Sequence, residues 1–181
     1  MHTVSIVLGT AREGRQSEKV ARLLYNELLK REIFHVVYVD VRDCVSTAST
    51  VRYDEKSGSD NFWYNTAMQS DAFIFVLPEY NHGYPGEWKL LMDSLYKKAY
   101  MGKRAGLVGV SNGQFGGVRA LESATLSLST RGMYVMKDAL HFPFVETHFD
   151  TTGELVYDEQ RVRVEKFFET FKMSLDAHVQ S

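Results

Sequence analysis

Five short apolar runs alternate along this chain with segments whose apolar residues recur every three or four positions, and this alternation constrains the fold most. The runs are residues 4–8, 35–39, 72–77, 105–110 and 133–136. They are apolar at nearly every position, so the strands they predict have no polar face to turn to water. The intervening segments read as helices. Val20, Leu23, Leu24 and Leu28 form a stripe within residues 17–30. Trp88, Leu91, Met92 and Leu95 fall at i, i+3, i+4 and i+7 within residues 87–96. Val118, Leu121, Thr125 and Leu128 line a helix that stops near Gly132. Residues 62–70 read as a further helix, and Val164, Phe168, Phe171 and Leu175 stripe residues 158–175. A sheet buried on both faces needs a helical layer on each side. The pattern therefore predicts an α/β three-layer sandwich around a five-stranded parallel sheet. Right-handed crossovers then gather every strand-to-helix loop at one edge.

The length of 181 residues suits one domain, and no repeat, low-complexity tract or linker divides residues 1–181. A formal net charge of −2 gives no electrostatic basis for binding nucleic acid or an anionic membrane. No apolar run approaches a membrane span, and Met1-His2-Thr3 leads straight into a strand-like run, so neither an anchor nor a signal peptide is expected. The single cysteine, Cys44, excludes an internal disulfide and suits a reducing cytosol, which makes a cytoplasmic location the expectation. It is not a phosphatase-type nucleophile, because the arginine of a Cys-x5-Arg motif would fall at Thr50. His35, His141, His148 and His178 lack ligand spacing, so no metal is expected. Residues 41–60 show no period and are long for a strand-to-helix connection, which points to a functional or interface loop.

Three of the predicted loops carry chemistry. The first, residues 9–17, offers the hydroxyls of Thr10 and Ser17, the Gln16 amide, the guanidiniums of Arg12 and Arg15, and a helix N-terminus. Those are the parts of a phosphate site, although Ser17 alone also suits a plain N-cap. Neither the Walker loop nor the dinucleotide glycine fingerprint is present. The second, residues 78–86, packs two prolines, two glycines and two tyrosines directly after a buried strand, a loop shaped for a planar ligand with polar edges. The third, residues 111–117, has Gly113, Gly116 and Gly117, which expose backbone groups above the sheet or simply make a flexible connection. Together on one rim they fit a monophosphate bearing a large flat ring, and flavin mononucleotide (FMN) is the candidate.

These motifs resemble those of the flavodoxin-like NAD(P)H-dependent FMN reductases, a group that includes quinone, azo-dye and chromate reductases. The resemblance rests on Gly9-Thr10-x-Arg12 up to Ser17, on Pro78-Glu79-Tyr80-Asn81-His82-Gly83 and on Gly113-x-x-Gly116-Gly117. It implies a flavodoxin-like strand order of 2-1-3-4-5 with FMN across the carboxyl edge. It places Thr10, Arg12, Gln16 and Ser17 at the phosphate, and Pro78, Glu79, Tyr80 and Asn81 along the isoalloxazine. Ser111, Gly113, Gly116 and Gly117 would face the pyrimidine side, while Arg15 fits the electrostatics without a firm match. The chain departs from the family after Asp43, where Cys44-Val45-Ser46-Thr47 replaces a proline-containing stretch.

The mechanism so implied has two steps: NAD(P)H gives hydride to the flavin and leaves, and a small-molecule acceptor then takes the electrons. NADPH or NADH serves as co-substrate. No side chain is assigned a catalytic role beyond the flavin; the Tyr80, Asn81 and Gly113 amides would steady the ring edge, and His82 suits a surface position. Alternatives are a flavodoxin-type electron carrier and an FMN-binding redox sensor. Tyr84, Trp88, Tyr96 and Tyr100 belong either to the core or to an interface. The resemblance favours a homodimer or a dimer of dimers.

Overall fold

The computed structural model describes residues 1–45, 53 and 61–177. Most of the loop expected over residues 41–60 therefore lies outside the described residues. The first crossover runs from strand β1 (His2–Leu8) through helix α1 (Ser17–Arg31) to β2 (Phe34–Asp40). A short helix α2 (Val41–Cys44) follows at once, capped by the Asp40 carboxylate, which accepts the Arg42 N–H at 3.0 Å. Next come α3 (Phe62–Gln69), β3 (Ala72–Pro78), α4 (Gly86–Asp93), β4 (Arg104–Val110) and α5 (Val118–Thr130). Two short strands, β5 (Tyr134–Val135) and β6 (Leu140–Phe142), precede the terminal helix α6 (Asp158–Asp176).

The sheet order is β2-β1-β3-β4-β5, and its pairings are parallel. The one departure from the expected five strands is at the last. Tyr134 and Val135 pair with Arg104 and Ala105, the chain then leaves the sheet, and Leu140, His141 and Phe142 return to pair with Val108, Gly109 and Val110. Polar Lys137-Asp138 falls where an unbroken strand would have to bury both faces, so the edge strand splits into two.

The pleat divides the core into two layers. Val4, Ile6 and Leu8 meet Val20, Leu24 and Leu28 of α1 and Phe167 and Phe171 of α6. Val7, Phe73, Phe75 and Leu77 face the other way, against Trp63 of α3, Trp88 and Leu91 of α4, and Leu121 and Leu128 of α5. Each fully buried side chain of this size contributes about 1.5–3 kcal/mol over its exposed state, so the two layers fix the strand register. Trp88 and Tyr100 are completely buried, which assigns them to the core. Tyr84 is half-buried and stands edge-on to Trp88 at 4.7 Å, and Tyr96 is exposed. Among the described residues, no helix is long and apolar enough to cross a membrane.

Candidate functional site

The loops after β1, β3 and β4 meet at the carboxyl edge of the sheet. The first leaves β1 at Gly9, whose N–H donates to Val76 O at 3.0 Å. Thr10 is buried; its hydroxyl lies 3.0 Å from the Tyr80 hydroxyl and accepts the Arg12 N–H. Beneath the loop Arg15 is almost wholly buried. Its guanidinium forks onto both oxygens of Asp40, at the end of β2, and donates to Thr10 O. Arg42 braces the outside, donating from Nε to Ala11 O at 3.1 Å and from a terminal nitrogen to Arg12 O at 2.6 Å. At the start of α1 the Glu18 and Lys19 N–H groups bond Arg15 O and Gln16 O, at 3.4 and 3.1 Å, which leaves the Ser17 N–H for a ligand.

Asp40 and Arg15 hold one another charged. Burial alone pushes the Asp40 carboxyl up, but the Arg15 hydrogen bond, the Arg42 N–H and both guanidinium charges outweigh it and leave the carboxyl below its usual value. Burial likewise opposes the Arg15 charge, and the hydrogen bond and charge of Asp40, with Glu18, raise it overall. Arg15 is thus committed to the loop. Arg12 is not: it is exposed, with its guanidinium 4.0 Å above the Tyr80 ring.

The helix start differs from a plain N-cap. Gln16, not Ser17, occupies the cap position of α1 and makes no side-chain cap bond. Ser17 is the first helical residue and is 1% exposed, yet its hydroxyl has no partner among the described residues; neither has Gln16 Oε1. Two orphaned oxygens at a helix N-terminus point to a ligand, because buried polar groups are normally paired.

The second loop begins as β3 ends at Pro78. Tyr80 and Gly83 exchange both backbone hydrogen bonds, at 2.9 and 3.0 Å, around Asn81 (φ 50°) and His82 (φ 67°). Positive φ at both central residues makes this a type I′ turn, and it puts Asn81 and His82 at an exposed tip. The Tyr80 N–H, expected to face a ring edge, is engaged with Gly83. The Glu79 carboxylate is also engaged: it accepts the Arg119 N–H at 3.1 Å in the first turn of α5 and pairs with the Arg119 guanidinium at 3.4 Å.

The third loop is held mainly by backbone. Ser111 N–H donates to Phe142 O, Val145 N–H to Ser111 O and Phe144 N–H to Gly113 O, at 3.1, 3.1 and 3.2 Å. The Ser111 hydroxyl donates to Gly113 O at 3.0 Å, and Asn112 Nδ2 to Glu146 at 3.0 Å. Gly116 and Gly117 lie buried under the loop rather than on its rim. Gly116 has φ 57°, and a Cβ there would stand 2.9 Å from both His141 Cβ and Pro143 N. His141 Nδ1 lies 3.1 Å from Gly116 O and ties β6 to the same loop.

These loops enclose a cleft of about 280 Å³ that touches Arg12, Gln16, Ser17, Pro78, Glu79, Tyr80 and Ser111. A second cleft of about 380 Å³ continues from Glu79 and Ser111 past Asn81, His82 and Gly113 to Phe115 and Arg119. Nine of the twelve residues singled out from the sequence line these clefts, and Thr10 lies 3.0 Å from the hydroxyl of Tyr80, which is one of them; Gly116 and Gly117 instead support the loop from below. The sequence pattern missed Val145 and Glu146, which wall the first cleft from the segment after β6. The three-residue strand ahead of them, Leu140–Phe142, is too short to show a period, so the sequence carried no signal for this wall. Cys44 has no part in the site: burial pushes its thiol up to about 12. Among the described residues no group of three or more histidines, cysteines or carboxylates could hold a metal ion.

The donor set fits the phosphate end of FMN, with the orphaned Ser17 hydroxyl, the Ser17 N–H at the start of α1 and an uncommitted arginine at one end of an elongated cleft. A family model described as NADPH-dependent FMN reductase matches residues 2–147. A quinone reductase from Pseudomonas putida is 27% identical over 176 residues, covering 94% of this chain and 93% of that protein. Among solved structures, the flavoenzyme NAD(P)H:(acceptor) oxidoreductase FerB from Paracoccus denitrificans has a TM-score of 0.76 at 20% identity, covering 98% of this chain and 99% of that one. A flavodoxin from Pseudomonas aeruginosa has a TM-score of 0.59 at 17% identity, covering 94% and 99%. The two structural likenesses establish a flavodoxin-like fold, and the family match extends over most of the sequence. The chain belongs to the NADPH-dependent FMN reductase family, a group of NAD(P)H-dependent oxidoreductases.

Proposed function

We propose that this protein holds FMN across the carboxyl edge of its sheet and uses it to carry electrons from NAD(P)H to a small-molecule acceptor. The chemistry supplied by bound FMN is two-electron transfer in two separate steps, with a quinone, free flavin, azo compound or similar molecule as the second substrate. The observation that carries this reading is the unpaired, buried Ser17 hydroxyl at the start of α1, within one cleft with Arg12.

The chain's own residues bind and orient. Arg12 neutralises the phosphate from above Tyr80, and the Ser17 hydroxyl and N–H and the Gln16 Nε2 group donate to its oxygens at the positive end of α1. Thr10 keeps the Tyr80 ring upright through their shared hydrogen bond. Pro78, Glu79, Tyr80 and Asn81 line the ring side of the cleft, Glu79 through its backbone because its carboxylate caps α5. Ser111 and Gly113 line the opposite end, on a platform that Gly116 and Gly117 keep close to β4 and β6. No side chain at the site is assigned a proton-transfer role.

We also propose a homodimer or a dimer of dimers in the cytoplasm. The exposed Phe115 and Phe144 beside the third loop, and Tyr96, are the aromatic surface such an interface would use. Light scattering on the purified protein gives the mass.

The function is tested by recording the flavin absorbance of the FMN-loaded protein anaerobically, before and after one equivalent of NADPH or NADH. Prompt bleaching, reversed by a quinone, is expected. FMN that binds yet resists both nicotinamides would identify an electron carrier or sensor instead.

A further inference from the structure

A groove of about 950 Å³ opens from the phosphate end of the cleft and runs along the outer side of α1. It shares Gly14, Arg15 and Gln16 with the cleft. Nothing lies within 4 Å of the place a Cβ on Gly14 would occupy, so the loop leaves the passage between the two open. Lys19, Leu23 and Asn26, at i, i+4 and i+7 of α1, form one wall. The turn at residues 151–154 forms the other, fixed by the Asp150 carboxylate, which accepts the N–H groups of Thr152 and Glu154 at 2.8 and 2.9 Å.

The charges along this groove are partly settled within the protein. Glu18 accepts two hydrogen bonds from Arg22, at 2.9 and 2.7 Å, and pairs with Arg15 at 3.4 Å. Lys19, one position further on, makes no ion pair among the described residues. A free cation therefore stands just outside the phosphate end. Beyond it come apolar surface from Leu23, the Asn26 amide and the Thr152 hydroxyl, which donates to Asp150 at 2.6 Å and can accept from a ligand. The Glu27–Lys30 pair, at 2.8 Å, and Glu154 at the far wall also line it. The volume is that of a site for a small organic ligand.

We propose that this groove takes the adenylate half of a flavin dinucleotide, so that the site accepts FAD as well as FMN; the proposal rests on the flavin reading given above. Lys19 meets the second phosphate. Leu23 offers a surface for the adenine ring, while Asn26 and Thr152 supply polar partners for the ribose and the ring edge. A ligand that ends at its first phosphate leaves the groove to water.

Calorimetric titration of the flavin-free protein with FMN and with FAD tests this, using the unchanged chain, Lys19→Glu and Asn26→Trp. Both substitutions lie on the solvent side of α1, and circular dichroism checks the fold. Expected is FAD affinity within threefold of FMN or tighter, with FAD weakened about tenfold by each substitution and FMN changed less than threefold. FAD binding tenfold weaker than FMN in the unchanged chain overturns the proposal. So does FAD binding that ignores both substitutions, which would mean an adenylate left in solvent. If neither flavin binds, the flavin site itself is wrong.

Discussion

The loops after β1 and β4 stand at the same edge of the sheet but are held in opposite ways. The first is braced by side-chain charge: Arg15 and Asp40 from below and Arg42 from outside fix three successive carbonyls, those of Thr10, Ala11 and Arg12. The second is held by close backbone approach, with Gly116 and Gly117 pressed against β4 and the chain leaving β6. The charged brace fixes the loop that leads into the N-terminus of α1, where an anion is favoured, whereas the glycine platform presents a flat, backbone-lined surface. A phosphate and a ring edge need those two different supports.

The largest effect should come from the backbone-held loop. Gly116→Ala places a Cβ 2.9 Å from His141 and Pro143 on a backbone with φ 57°. Strain and overpacking together should cost about 3 kcal/mol or more, lowering the melting temperature by ~6–12 °C. An unchanged melting temperature would show that this loop yields, and the contrast between the two loops would fail.

Breaking the charged brace should cost somewhat less. Asp40→Asn leaves the buried Arg15 guanidinium without its carboxylate, an expected loss of about 2–3 kcal/mol in urea unfolding, since Asp40 keeps some exposure to water. The pH dependence sharpens the point. A carboxyl held below its unfolded value stabilises the fold above about pH 4 and loses that contribution as pH falls through the lowered value. The unchanged chain should therefore lose more stability than Asp40→Asn on moving from pH 5 to about pH 2. Parallel acid profiles would remove the ion pair from the account.

Arg12→Ala should leave stability within about 0.5 kcal/mol, because the side chain is exposed. It should weaken FMN by about 10–100-fold, as expected for one charge-assisted contact. That outcome would separate the two arginines of the loop, one holding the ligand and the other holding the loop. A stability loss equal to that of Asp40→Asn would merge their roles.

Much of this was legible in the sequence. The strands that alternate with helices are apolar on both faces, so their existence and the loop edge follow from periodicity, while the order 2-1-3-4-5 came with the family motifs. The split edge strand did not follow. Leu140, His141 and Phe142 are too few to show a period, and they pair in parallel with a strand some thirty residues earlier. Their exit loop carries Val145 and Glu146 into the cleft, so that wall was invisible too. Arg15 was legible as a cation near an anion site but not as a brace, because its partner Asp40 is remote in sequence and is brought under the loop only by the pairing of β1 with β2.

The central claim is that the carboxyl edge recognises a flavin through its phosphate. Equilibrium titration of the flavin-free protein with FMN and with riboflavin, followed by flavin fluorescence, tests it most directly. The account predicts FMN binding at least about 100-fold tighter than riboflavin, because Arg12, Ser17 and the α1 N-terminus act only on the phosphate. Equal affinities, or no binding of FMN, would contradict it.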